Sequence, residues 1–300
     1  MRIEIRNVMC TTDLSDSSRL TIPYGVALAK ELGAKLYICH VADIPSADTY
    51  GSAIPDPIIQ EEEILKYVNT QLNDLMENQT VEWEPLVAIG RASDEICRMV
   101  EEKSIDIAIS ATKGRTGLKR IVLGSVTGRL MRTISCPLLI VRSKKKEQIA
   151  SVAQEIKFNR ILVGVDFSSD SELAFQYGLS LAKEFESELH LIHVIVPADY
   201  KAFIKIKSEN ELHKALPDQV MDELKDMLNE EDDIWCRPIF SILEGQPYDE
   251  INKYAFAHDI DLIVLGVRGH GVAETLFVGS TTDRVARQAP CPVLSVLPKG

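Results

Sequence analysis

Residues 261–280 read DLIVLGVRGHGVAETLFVGS, and this stretch decides the fold. It opens on an apolar strand-like run and passes into the spacing Gly266-x2-Gly269-x9-Gly279-Ser280 ahead of a helix. Glycines at such points let a backbone take positive φ or approach a ligand closely, and a Gly-Ser opening a helix presents free N–H groups to an anion. An upstream copy, Ala111-x2-Gly114-x9-Gly124-Ser125, repeats the spacing with alanine in place of the first glycine.

The copy extends well beyond the glycines. Gly114–Val141 and Gly269–Val296 superpose without a gap at an offset of 155, sharing Gly124/Gly279, Ser125/Ser280, Thr127/Thr282, Arg129/Arg284, Arg132/Arg287, Cys136/Cys291 and Pro137/Pro292. Further upstream the offset is 153, pairing Asp13 with Asp166, Ser15 with Ser168 and His40 with His193, so a two-residue insertion falls between His193 and Gly245. The 300 residues form a tandem repeat of about 150 residues, an ordinary domain size. Domains are expected over residues 1–143 and 158–300, joined by a linker at 144–157 whose Lys144-Lys145-Lys146 reads as a solvated connection.

Each repeat alternates short β-branched runs with amphipathic stretches in the order β-α-β-α-β-α-β-α-β. Expected strands are Asn7–Thr12, Lys35–Val41, Glu82–Val87, Ile105–Ala111 and Pro137–Val141, then Arg160–Asp166, Glu188–Val194, Cys236–Leu243, Asp261–Gly266 and Pro292–Leu297. Leu20, Tyr24, Leu28 and Leu32 recur every four residues and are matched by Leu173, Tyr177, Leu181 and Phe185, which predicts one buried helix face used twice. Pro23 predicts a late start or a kink in the first of these helices. Apolar strands alternating with helices imply a parallel sheet covered on both faces, because parallel strands need crossover connections. The fold class is therefore α/β, two doubly wound parallel sheets in tandem. Ligands of such sheets bind outside the carboxyl ends of the strands, where strand order reverses. Asp13 and Asp166 end the first strands and the glycine motifs follow the fourth, so both fall at that edge.

Composition narrows the function. With 45% hydrophobic and 26% charged residues the chain has apolar material for two cores, and no apolar run reaches the roughly eighteen residues that span a bilayer. Without a secretory h-region at the N-terminus, a cytoplasmic protein with no membrane partner is expected. Six cysteines, at positions 10, 39, 97, 136, 236 and 291, show no CxxC spacing and read as reduced, mostly buried thiols. A net charge of −12 opposes general nucleic-acid binding, whose affinity comes largely from neutralising phosphates.

The combination Thr12-Asp13-x-Ser15, His40-Val41, Gly90, Gly114-x9-Gly124-Ser125 and Cys136-Pro137 resembles the universal stress protein family. The second half resembles it more closely, through Val165-Asp166-Phe167-Ser168, His193-Val194, Gly245-x-Pro247, Gly266-x2-Gly269-x9-Gly279-Ser280 and Cys291-Pro292. The resemblance implies a five-stranded parallel sheet of order 3-2-1-4-5 in each domain, an adenine nucleotide alpha hydrolase-like fold, with the domains paired through their last strands as an internal pseudo-dimer and homodimerisation optional. It implies ATP as the ligand, with Mg2+ as an optional companion, and a stress-response role through an unknown protein partner.

Carried over residue by residue, the resemblance puts adenine and ribose near Asp166 and the backbone of Val194, ribose and phosphates over Gly266, Arg268 and Gly269, and phosphates on Gly279, Ser280 and Thr281. The matching positions of the first repeat are Asp13 and Val41 on the adenine side, then Ala111, Lys113, Gly114, Gly124, Ser125 and Val126. There the Ala111 methyl is expected to press on a ribose or restrict the backbone, whereas Lys113, Arg115, Lys119 and Arg120 make the loop more basic than its copy.

Blander readings stand beside these. The glycines also suit plain turns before helices, and Asp13 and Asp166 also suit a cap or turn. His40 and His193 read as satisfied histidines at the core edge rather than metal ligands, and the loops Ile44–Ile59 and Pro197–Asn210 as lids or as plain connections. No Walker A pattern occurs, so no more than weak ATPase activity is expected and no catalytic residue is assigned. Three functions remain open: a nucleotide-dependent regulator, a slow hydrolase or phosphotransferase using Asp166, and a nucleotide-free interaction module for another small ligand.

Overall fold

The computed structural model describes residues 3–42, 57–112, 123–142, 156–196, 209–229, 236–268 and 278–298. Between Ile156 and Lys157 the chain divides into two compact units. Most of the linker, most of both lid candidates, and Lys113, Gly114 and Gly269 lie outside the described residues.

The first unit runs β1 (Asn7–Thr11), α1 (Asp16–Arg19), α2 (Thr21–Leu32), β2 (Lys35–Ala42), α3 (Pro57–Met76), β3 (Trp83–Ile89), α4 (Ala92–Glu102), β4 (Ile107–Ala111), α5 (Ser125–Thr133) and β5 (Leu138–Val141). Its strands pair in parallel in the order β3-β2-β1-β4-β5. The second unit repeats this with β6 (Arg160–Gly164), α6 (Ser169–Glu184), β7 (Glu188–Ile195), α7 (Glu209–Asp226), β8 (Ile239–Glu244), α8 (Pro247–Ala257), β9 (Leu262–Gly266), α9 (Ser280–Gln288) and β10 (Val293–Val296). Its order is β8-β7-β6-β9-β10, again all parallel. Successive residues Val8, Met9 and Cys10 are all fully buried although they point to opposite faces, which is how a sheet covered on both sides must read.

The expected strands are present with small shifts. The largest is at β8, expected from Cys236 and starting at Ile239. Arg237 takes a left-handed φ of 40° and Pro238 has no N–H for a ladder, so pairing begins only beyond them. Pro23 acts as expected: α1 stops at Arg19, and α2 restarts with the proline as its third residue, where its missing donor costs no intrahelical bond.

The helix face is displaced from the expected stripe. Leu20, Tyr24 and Leu32 are only half-buried, and the centre of the buried face is Thr21, Ile22, Gly25, Leu28 and Ala29. In α6 it is Ala174, Gly178 and Leu181, flanked by Tyr177. A Cβ on Gly178 would stand 2.4 Å from Cγ2 of Val163, and one on Gly25 2.2 Å from Sγ of Cys10. Both helices thus lie too close to their first strands for any side chain at Gly25 and Gly178, and the larger buried residues pack to either side of those points.

None of the six cysteines forms a disulfide and five are buried; burial pushes the Cys39 thiol up to about 12, so it stays protonated. Among the described residues no helix is long and apolar enough to cross a membrane. In the second unit β6 lies between β7 and β9, so the connections leaving β6 and β9 diverge and open a crevice at the carboxyl edge.

Candidate functional site

The crevice begins with a strained turn. After β6 the chain passes Val165 and Asp166, and Phe167 takes a φ of 58° before Ser168 caps α6 by accepting from the N–H of Ser171. Asp166 holds this turn, its Oδ1 accepting from the N–H of Ser168 at 3.1 Å and from the Ser168 hydroxyl at 2.5 Å. The first unit copies it, with Leu14 at φ 64° and Asp13 Oδ1 accepting from the hydroxyls of Ser15 and Ser18, each at 2.5 Å. A left-handed residue without glycine costs energy, and the carboxylate offsets that cost by fixing the residues on its far side. His193 also braces the edge, donating through Nδ1 to the carbonyl of Val165, and His40 does the same to Thr12. A carbonyl can only accept, so in both rings Nδ1 carries the proton.

The opposite wall comes from β9 and α9. The hydroxyl of Thr282 donates to the carbonyl of Gly266 at 2.6 Å, and the N–H of Gly279 to the carbonyl of Val267 at 2.7 Å. These bonds seat the α9 N-terminus against the end of β9. Gly279 is the N-cap and, among the described residues, no side chain caps it, which leaves first-turn N–H groups for solvent or a ligand. Thr127 to Ala111 and Gly124 to Thr112 reproduce the seat in the first unit.

Gly266 answers to a constraint that the sequence reading did not include, the packing of a helix. A Cβ there would lie 2.6 Å from the carbonyl carbon of Asp170 and 2.8 Å from the N of Ser171, both backbone atoms of the first turn of α6. The glycine admits the helix. In the first unit the methyl of Ala111 occupies that position, and its helix is the short, interrupted α1.

Between these walls lies a cavity of about 410 Å3. It brings together Asp166, Val194, Gly266, Arg268, Gly279, Ser280 and Thr281, all of the described second-repeat candidates. Sequence reasoning did not assign to the site its apolar lining, Val165, Ile192, Ile251 and Leu265, nor Pro247 and Thr282. The apolar residues read only as core in the sequence, since a wall of a cavity and a wall of a core have the same periodicity. Asp170 was also missed. Its carboxylate, 6% exposed, accepts on Oδ2 from both the N–H and the Nε of Arg268, each at 3.0 Å. An acidic residue in a helix's first turn is too common to be a signal by itself.

In the first unit Asp13 follows β1, Val41 lies on β2, Ala111 ends β4, and Gly124, Ser125 and Val126 open α5. These are the carboxyl ends of the strands flanking the reversal of strand order, as in the second unit. Differences are local: Ser17 stands at the position of Asp170, and the buried hydroxyl of Ser110, bonded to Thr127 at 2.9 Å, replaces Leu265.

Residues 4–142 and 157–296 each match the Universal stress protein family. A universal stress protein of Methanocaldococcus jannaschii is 31% identical over 148 residues, 47% of this chain and 85% of that protein. The universal stress protein YxiE of Bacillus subtilis is 31% identical over 146 residues, 45% of this chain and 97% of its own length. Among solved structures, a universal stress protein from Archaeoglobus fulgidus has a similar fold, with a TM-score of 0.67 at 23% identity over 98% of this chain and 96% of that one. With both repeats matched, this chain belongs to the universal stress protein family as a tandem, two-domain member.

Proposed function

We propose that the second unit binds an adenine nucleotide, ATP in the first instance, and that the chain is a cytoplasmic nucleotide-dependent stress regulator rather than an efficient enzyme. The observation that carries this reading is the pairing, in one cavity, of an apolar wall with the open N-terminus of α9. Ile192, Val194, Ile251 and Leu265 suit the faces of a base, and the first-turn N–H groups with the hydroxyls of Ser280 and Thr281 suit phosphate oxygens. Mg2+, where present, would ride on the phosphates. Asp166 is already committed to holding its own turn through Ser168, which favours binding over hydrolysis. Residues 144–157 are taken as the connection between the two domains, and an unidentified protein is taken as the reader of the loaded state.

Acid extraction of freshly purified protein, with calorimetry of ATP added with and without Mg2+, tests the reading. About one adenine nucleotide per chain is expected. No co-purified nucleotide together with no heat of ATP binding would overturn it.

A further inference from the structure

We infer that Asp170 is a positioning residue for phosphate recognition, acting through Arg268. This role rests on the nucleotide reading of the cavity. One carboxylate oxygen receives two donors of the same arginine, the backbone N–H and Nε, each at 3.0 Å. It therefore fixes the main chain where β9 gives way to the glycine loop and, at once, the plane of the guanidinium. Arg268 lines the cavity beside the α9 N-terminus, and among the described residues its two terminal nitrogens make no hydrogen bond to protein. An arginine already oriented by a buried carboxylate presents those donors to a phosphate at little further ordering cost.

The geometry depends on Gly266, whose missing side chain lets the first turn of α6 approach the end of β9 and bring Asp170 within reach. Three positions differ together between the repeats: Gly266, Asp170 and Arg268 in the second correspond to Ala111, Ser17 and Lys113 in the first. Neither a serine nor a lysine can form this fork, and the alanine removes the space for it. The assembly belongs to the second repeat.

Charge alone predicts the opposite outcome, which makes the role testable. Deleting a carboxylate near a phosphate site relieves repulsion and should tighten ATP, whereas losing the orientation of Arg268 should weaken it. The measurement is the ratio of ATP to adenosine affinity, by calorimetry on the full chain, for wild type, Asp170→Asn, Arg268→Lys, Arg268→Gln and the Asp170→Asn/Arg268→Gln double variant. Adenosine reports whether the cavity is intact, so general destabilisation leaves the ratio unmoved. Asp170→Asn is expected to lower the ratio about tenfold, the scale of one charge-assisted hydrogen bond, and the double variant to add little to Arg268→Gln. Arg268→Lys, which keeps the charge and loses the fork, should also lower it and serves if Asp170→Asn does not fold. An unchanged or raised ratio in Asp170→Asn, additive effects in the double variant, or a wild-type ratio in Arg268→Lys overturns the role while leaving nucleotide binding intact. Wild-type protein that binds neither ATP nor adenosine overturns both.

Discussion

His193 stands with its Nδ1 2.8 Å from the carbonyl oxygen of Val165, so one imidazole ties β7 to the strained turn that carries Asp166. His193→Ala leaves that carbonyl without this donor and releases the ring of Phe167, which stacks on it with centroids 5.2 Å apart. A loss of about 1–3 kcal/mol in the second unit's stability is expected, with weaker ATP binding, measured by denaturant unfolding with a probe in that unit and by calorimetry. Unchanged stability and affinity would show that the turn holds itself.

Gly266→Ala and Ala111→Gly are formally inverse changes with unequal consequences. The first drives a methyl into the backbone of α6, which cannot rotate away, and should cost roughly 1–3 kcal/mol and abolish tight nucleotide binding. The second removes a tolerated methyl and should cost only about 0.5–1 kcal/mol. Unfolding midpoints of the two single variants decide the matter, and equal losses would contradict it.

Thr282→Val removes the hydroxyl that seats α9 on Gly266 and should cost about 1 kcal/mol. Thr127→Val, its copy, should cost more, because the buried Ser110 hydroxyl loses the same partner. Denaturant melts of both variants would reveal the reverse order if Ser110 is satisfied another way.

The acid limb of stability should carry a signature of His190. Burial holds its imidazole below the ordinary value of 6.5, helped by His258 at the end of α8 and Arg160 on β6 and opposed by Glu188 on its own strand. Tyr254 on α8 faces its Nδ1 at 3.0 Å, and among the described residues Nε2 has no hydrogen-bond partner. The unfolded chain protonates this group first, so its contribution is fully present above the ordinary histidine value and is lost as pH falls below it. Between about pH 7 and pH 5 the second unit's unfolding midpoint should fall more steeply in wild type than in His190→Phe. Parallel curves would remove His190 from the account.

Most of the fold and the second repeat's site could be read from residues that announce themselves. Glycine spacings, strand-end aspartates and the offsets between copies identified Asp166, Gly279 and Ser280 as residues that would meet at one edge, and the cavity gathers them. What escaped has physical causes. The buried face of α6 includes Ala174 and Gly178, small residues that carry no weight in a hydrophobic period, so the expected stripe captured Leu181 and Tyr177 but not the point of closest approach. Phe167 and Leu14 adopt left-handed backbone without the glycine that usually signals it. Asp170 acts across 98 residues of sequence on Arg268, and no local pattern encodes that distance.

The close seating of α6 on Gly266 also governs how the two repeats can change. An alanine at 266 meets helix backbone, and loss of Arg268 alone strands a buried carboxylate. In the other repeat, a glycine at 111 gains nothing while Ser17 offers no charge to be approached. Single substitutions in the second repeat therefore pass through a worse protein, and those in the first through one no better. Conversion in either direction needs concerted steps, which makes the difference between the halves a barrier to their becoming alike again.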